Sequence, residues 1–142
     1  MAEATTPAPV RGRHDGPMWQ SIGAREMRLQ CCAACGTFRY PPGPCCPACM
    51  AEEAAWKALR GTGEVLSWVV FHRTYLPAYP APYTCIAVRL DEGPVMIANL
   101  AGPAPATELI GQRVRMVYAT MPDGVVLPRF ELVALAPGMS PV

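Results

Sequence analysis

Leu29-Gln30-Cys31-Cys32-Ala33-Ala34-Cys35-Gly36, followed after a proline-punctuated finger by Cys46-Pro47-Ala48-Cys49, is the stretch that decides the fold. Cys32, Cys35, Cys46 and Cys49 are spaced C-x2-C-x10-C-x2-C. Each CxxC turns two thiolates toward one point, and two such knuckles complete a tetrahedron, with zinc–sulfur distances of about 2.3 Å. Gly36 stands where the first knuckle needs a tight turn with amide N–H groups facing sulfur. Pro47 stiffens the second knuckle, and residues 37–44 form the finger between them. The segment from Leu29 to Cys49 has neither helical nor strand periodicity, so a bound metal must supply the folding energy that a core would otherwise supply. Four thiolates leave no open coordination position, which predicts a structural ion.

Two further cysteines keep an alternative open. Cys31 precedes Cys32 and Cys45 precedes Cys46, and using either would give a CxxxC spacing less suited to a ribbon knuckle. Iron in a rubredoxin-like site takes the same ligands. Zinc is favoured because nothing else in the chain suggests electron transfer.

Upstream, residues 1–14 are rich in Ala, Thr and Pro and read as a disordered tail. Asp15 is a candidate cap for a helix within residues 15–28, with Pro17 in its first turn. Its apolar stripe, Met18, Ile22 and Leu29, is interrupted by Arg25. The ribbon is assigned to residues 29–60. Within it, Met50 to Leu59 has helical local propensity, with Glu53 four residues before Lys57.

Downstream the text becomes strand-like. Five runs rich in β-branched and aromatic residues are Val65–His72, Thr84–Leu90, Val95–Leu100, Val114–Ala119 and Val125–Val133. Turns at Asp91-Glu92-Gly93-Pro94 and Pro122-Asp123-Gly124 separate them, and the connection 101–112 has room for one turn of helix. Pro128 demotes part of the last run to an edge or a bulge. Five short strands with an insert between the third and fourth suit an OB-type barrel, assigned to residues 61–135, with 136–142 as a C-terminal tail. An SH3-like barrel or a sandwich fits the same pattern. The fold class is therefore mainly β: a short N-terminal helix, a rubredoxin-like zinc ribbon, then a five-stranded barrel.

Composition narrows the function. The 142 residues are 51% hydrophobic and only 16% charged, against about 25% in an average domain, which suits a chain partly covered by a partner. A net charge of +1 gives no field for nucleic acid or an acidic membrane. No apolar run approaches the roughly 20 residues of a membrane helix, and residues 1–10 do not read as a secretory signal. A cytoplasmic location is expected, where thiols stay reduced and an odd count of seven cysteines suits a metal site plus free thiols. Cys85 lies in a strand pattern and His72 is the sole histidine of the predicted folded part, but no motif joins them as nucleophile and base.

An ordered set of strings resembles one family. They are Pro17-Met18-Trp19, the two cysteine knuckles, Tyr40-Pro41-Pro42, Trp56, Gly61-Thr62-Gly63-Glu64-Val65, Pro82-Tyr83, Val88-Arg89-Leu90-Asp91-Glu92-Gly93, Ile110-Gly111-Gln112-Arg113-Val114 and Pro128-Arg129-Phe130. Over about residues 17–133 the chain is similar to the zinc-ribbon plus OB-fold proteins associated with acyl-CoA enzymes, long catalogued as a domain of unknown function. The resemblance implies a rubredoxin-like ribbon and an OB barrel, and an extended segment around Trp56 in place of the helix that propensity favours. It also implies a small subunit, or a fused domain, of a thiolase-like enzyme, here expected as a partner subunit in hetero-oligomeric contact with a thiolase-fold protein that carries the catalytic groups. Where that family often has a basic residue after Pro41-Pro42, this chain has Gly43.

The implied function is a non-catalytic zinc-binding accessory subunit of a lipid-transfer-type thiolase or aldolase, supporting C–C cleavage or acyl transfer and lining the CoA entrance. Arg39 on the finger, with Arg73 and Tyr75 after the first barrel strand, are the candidates to contact a CoA thioester, whose phosphates want cationic donors near an aromatic surface. The alternative is an OB-fold binder of single-stranded nucleic acid, which would stack bases on Trp68, Phe71, Tyr83, Tyr118 and Phe130.

Overall fold

The computed structural model describes residues 5–103 and 105–134. In chain order its elements are α1 (Gly16–Gly23), β1 (Arg28–Cys32), β2 (Phe38–Arg39), β3 (Ala54–Ala58), β4 (Thr62–Phe71), β5 (Tyr83–Leu90), β6 (Val95–Asn99), β7 (Arg113–Thr120) and β8 (Val126–Leu132). The expected mainly-β architecture is present. A three-stranded sheet ordered β2-β1-β3 carries the ribbon, and a five-stranded antiparallel sheet ordered β6-β5-β4-β7-β8 makes the barrel. A parallel bridge from Leu100 to Phe130 joins its two edges and nearly closes it. Pro128 lies on β8, an edge strand of the hydrogen-bonded order, opposite Tyr118.

The helix is shorter than its sequence suggested. α1 stops at Gly23, because Arg25 adopts a left-handed φ of 60° and the amides of Arg25 and Glu26 fold back onto Ile22 and Ser21. That is a Schellman closure with arginine where glycine is usual. The chain then enters β1 with Met27 and Leu29 buried. Asp15 stands at the N-cap but its side chain caps no amide; its Oδ2 accepts the Trp19 indole N–H at 3.3 Å.

Three other segments differ from or refine the sequence reading. Residues 54–58 are strand, and β3 pairs along the whole of β1, from Arg28 opposite Ala58 to Cys32 opposite Ala54. Cross-strand pairing there outweighs helical propensity. The connection 101–112 holds no helix among its described residues. Leu109 drops from it into the core instead, and Glu108 Oε1 accepts the amides of Leu109 and Ile110. Near the N-terminus, Thr6 is only 5% exposed and donates its backbone N–H to Asp123 Oδ2 at 2.7 Å, so this part of the expected tail is tied to the β7–β8 turn. Residues 136–142, read as a C-terminal tail, lie outside the described residues.

One apolar cluster runs through the molecule. Met18 and Ile22 from α1 and Met27 and Leu29 from the ribbon side pack with Val65, Ile86, Val88, Met96, Val114 and Phe130 of the barrel. Alternation on β5 produces this directly: Thr84, Ile86, Val88 and Leu90 point inward, and the residues between them point out. Polar ties reinforce the junction. Met27 donates its N–H to the Tyr118 hydroxyl at 2.6 Å, Leu59 donates to the Met27 carbonyl, and the Arg25 guanidinium reaches the Tyr118 carbonyl at 3.1 Å.

Candidate metal centre

The two knuckles have the same backbone. Gly36 donates to the Cys32 carbonyl and Met50 to the Cys46 carbonyl, while Cys32 and Cys46 donate to Thr37 and Ala51. Both turns need a left-handed residue, with φ of 77° at Gly36 and 64° at Met50. The repeated turn points all four sulfurs inward, and the Sγ atoms of Cys32, Cys35, Cys46 and Cys49 lie within 4.8 Å of one another. Across the knuckles, Cys32 to Cys49 and Cys35 to Cys46 are each 3.6 Å apart. A zinc tetrathiolate with bonds of about 2.3 Å has sulfur–sulfur edges of about 3.8 Å. A disulfide would require about 2.05 Å. The cage is thus sized for a tetrahedral metal. Cys31 turns away and donates to the Gly36 carbonyl at 3.4 Å; neither it nor Cys45 joins the four.

The electrostatics call for a cation. Amide N–H groups, foremost that of Cys35, hold the Cys32 thiol down at about 6, and the amides of Cys49 and Ala48 lower that of Cys46. At Cys49 the Ala51 amide pulls downward, but hydrogen bonds shared with Cys35 and Cys32 outweigh it and push the thiol up to about 12. Four negative sulfurs cannot gather at this spacing unaided. A divalent ion would supply the missing charge, and the all-sulfur donor set suits zinc.

Arg39 does not belong to a CoA surface. It is 1% exposed, and its guanidinium donates to the carbonyls of Gly43, Ala51, Glu52 and Glu53 at 2.9–3.4 Å. The carbonyls of Ala51 and Glu53 also accept the amides of Cys46 and Ala33, so the guanidinium is a second donor to these two and serves Gly43 and Glu52 directly. Arg39 is removed from the expected contact set because it is buried and both of its Nη groups donate to backbone carbonyls, while its Nε, also buried, has no hydrogen-bond partner among the described residues. Sequence reasoning missed this role: a finger arginine carries no local sign that distant carbonyls will close on it.

Arg73 and Tyr75 do lie together on the surface, in the loop between β4 and β5. The Arg73 guanidinium sits 5.6 Å from the Tyr75 ring centroid. Tyr75 meets Phe71 edge-on at 6.2 Å, and Phe71 stacks on Tyr83 at 4.9 Å. The structure therefore presents a cation over an aromatic group at one end of the barrel. His72 and Cys85 form no hydrogen-bonded pair. The Cys85 thiol, pushed up by burial, faces Asn99 Oδ1 at 3.8 Å.

The aromatics a nucleic-acid groove would need are largely committed elsewhere. Phe130 is fully buried, the Tyr118 hydroxyl holds Met27, and Trp68 donates its indole N–H to Glu108. No helix among the described residues is long and apolar enough to cross a membrane.

Comparison with known proteins agrees with this architecture. Residues 19–53 match the family described as "ChsH2, rubredoxin-like zinc ribbon domain", and residues 56–119 match "ChsH2, C-terminal OB-fold domain". The chain is 36% identical over 129 residues to a probable enoyl-CoA hydratase alpha subunit of Thermomonospora curvata, covering 91% of this chain and 40% of that one. It is 33% identical over 115 residues to the 3-oxo-4,17-pregnadiene-20-carboxyl-CoA hydratase alpha subunit of Mycobacterium tuberculosis, covering 81% and 37%. The chain thus spans about two fifths of each of these relatives. Among solved structures it superposes on a chain of an "Ltp2-ChsH2(DUF35) aldolase" with a TM-score of 0.80 and 35% identity, covering 88% of this chain and 98% of that one. Ribbon, barrel, cysteine cage and near-complete overlap lead to one conclusion: this chain belongs to the ChsH2 (DUF35) family of zinc-ribbon and OB-fold proteins.

Proposed function

We propose that this chain is a zinc-organised accessory subunit of a thiolase-fold acyl-CoA enzyme, supporting C–C bond cleavage or acyl transfer while the partner supplies the reacting groups. The observation that carries this reading is the closed cage: four sulfurs fill the coordination sphere of one ion and leave no position for a substrate or an activated water. Zinc in this cage, held by Cys32, Cys35, Cys46 and Cys49, fixes the ribbon against the barrel. The relative whose chain is almost wholly spanned is one component of an aldolase, and the longer relatives are named as hydratase subunits that act on CoA thioesters.

Arg73 and Tyr75 are the CoA-facing pair in this reading. A guanidinium beside an exposed ring offers a phosphate both charge and directed N–H donors, and offers an adenine a stacking surface. The test is co-expression with a thiolase-fold protein, followed by size-exclusion chromatography and metal analysis. Co-elution in one peak with one zinc per copy of this chain supports the proposal. Separate elution at micromolar concentration contradicts it.

A further inference from the structure

The outward face of β4, β5 and β6 departs from ordinary strand alternation. Between Ser67 and Phe71 on β4, and on the parts of β5 and β6 beside them, the outward positions carry no carboxylate. They carry Val69, Ala87 and Ile97, with Ser67, Cys85 and Asn99 between and beyond them, and Ile97 is 71% exposed and Val69 50% exposed. A shallow groove of about 160 Å³ runs over Val69, Ala87 and Ile97. A barrel face that met only water would hold polar residues at these positions.

The barrel seam adds a second, independent feature. The Leu100–Phe130 bridge sets Asn99 beside Arg129 on the outer side. Asn99 Nδ2 and Arg129 Nε are both shielded from water, and neither has a hydrogen-bond partner among the described residues. Arg129 makes one weak contact, from Nη2 to Met121 Sδ at 3.5 Å, and has no carboxylate within ion-pair distance among the described residues. On the same pair of strands, Arg115 does have its carboxylate, Glu131. Shielded donors without acceptors carry a cost that an incoming acceptor removes.

Resting on the accessory-subunit reading above, we infer that the thiolase-fold partner seats on this face, bringing an apolar patch to Val69 and Ile97 and a carboxylate to Arg129. Charge selects this occupant over a second copy of the chain. Two such faces laid together would bring Arg129 and Arg73 from each copy and no acidic group to meet them between Ser67 and Phe71, and the next carboxylate along β4, Glu64, lies opposite Arg89 of β5. Position supports it too. Val69 leads directly into Phe71 and Tyr83, and so into the loop bearing Arg73 and Tyr75. Docking here places that loop at the partner's edge, where a CoA chain would enter.

The experiment compares wild type, Ile97→Asp, Val69→Asp, Arg129→Gln and the remote control Val10→Asp, each co-expressed with the thiolase-fold partner and titrated by interferometry. All four affected positions are on the surface or half-buried, and melting temperature and zinc content of each free variant verify folding. The expected result is at least a 30-fold loss of affinity for Ile97→Asp and for Val69→Asp, about tenfold for Arg129→Gln, and none for Val10→Asp. If wild type binds and the face variants bind equally well, the inference is overturned while the accessory-subunit reading stands. If the face variants abolish only self-association of this chain, the occupant is wrong. If wild type itself fails to bind, both readings fall.

Discussion

Arg39 holds the finger of the ribbon together with a single guanidinium. Replacing it with methionine keeps most of the volume but leaves the carbonyls of Gly43 and Glu52 without a donor and takes the second donor from those of Ala51 and Glu53, which keep the amides of Cys46 and Ala33. The expected cost is about 2–4 kcal/mol, read as a lower urea midpoint of the zinc-loaded protein; an unchanged midpoint would contradict the role. Gly63 is a second position where one atom decides. A Cβ there would stand 2.5 Å from the Arg89 carbonyl oxygen and 2.6 Å from Val88 Cγ1. Backbone cannot yield as a flexible side chain would, so Gly63→Ala should destabilise the barrel by about 1–3 kcal/mol, seen as a lowered melting temperature. Neither role was legible in the sequence beyond the residue type. The cysteine ligands were legible because a CxxC knuckle is a local device. Arg39 and Gly63 depend on chain segments that arrive only when the sheets form.

Among the elements, the ribbon is the most dependent on something other than packing. Removing zinc with a strong chelator should unfold β1–β3, shift Trp56 fluorescence, and lower the melting temperature of the barrel, because Met27 and Leu29 belong to the barrel's core. Cys46→Ser should lose stoichiometric zinc, whereas Cys31→Ser and Cys45→Ser should retain it, as measured by a zinc-release assay. Retention in the first or loss in the others would assign the wrong four sulfurs. The β5–β6 turn provides the pH dependence. Asp91 accepts Arg113 from β7 at 2.7 Å and the Thr62 hydroxyl from β4, and these hydrogen bonds, Arg113's first, hold its carboxyl down at about 2. A depressed carboxyl stabilises the fold above its ordinary value of about 3.9, and that contribution is lost as pH falls toward 2. The stability gap between wild type and Asp91→Asn should therefore close between about pH 4 and pH 2; a constant gap would refute the assignment. The barrel strands were legible from β-branched alternation. The end of α1 was not, because Arg25 takes the left-handed position that glycine usually marks.

Across the whole molecule, helix, ribbon and barrel are joined by one core and by the Met27–Tyr118 and Arg25–Tyr118 hydrogen bonds. The cysteine cage is closed, Cys85 faces Asn99 with no hydrogen-bonded base among the described residues, and Arg39 is buried. What the molecule offers outward is an apolar face, a lone seam arginine and an aromatic loop. The low charge fraction hinted at a covered surface, but the exposed apolar face proposed for it could be placed only once the register of β4–β6 was known, since a strand's outward residues are defined by its neighbours. On the proposed reading, these features belong to a part that completes another protein. The direct measurement is steady-state cleavage of a β-hydroxyacyl-CoA by three preparations at equal concentration: this chain alone, the thiolase-fold partner alone, and the two combined. Turnover confined to the combined sample is the predicted result, and thioester cleavage by this chain alone, or full activity of the partner without it, would contradict the account.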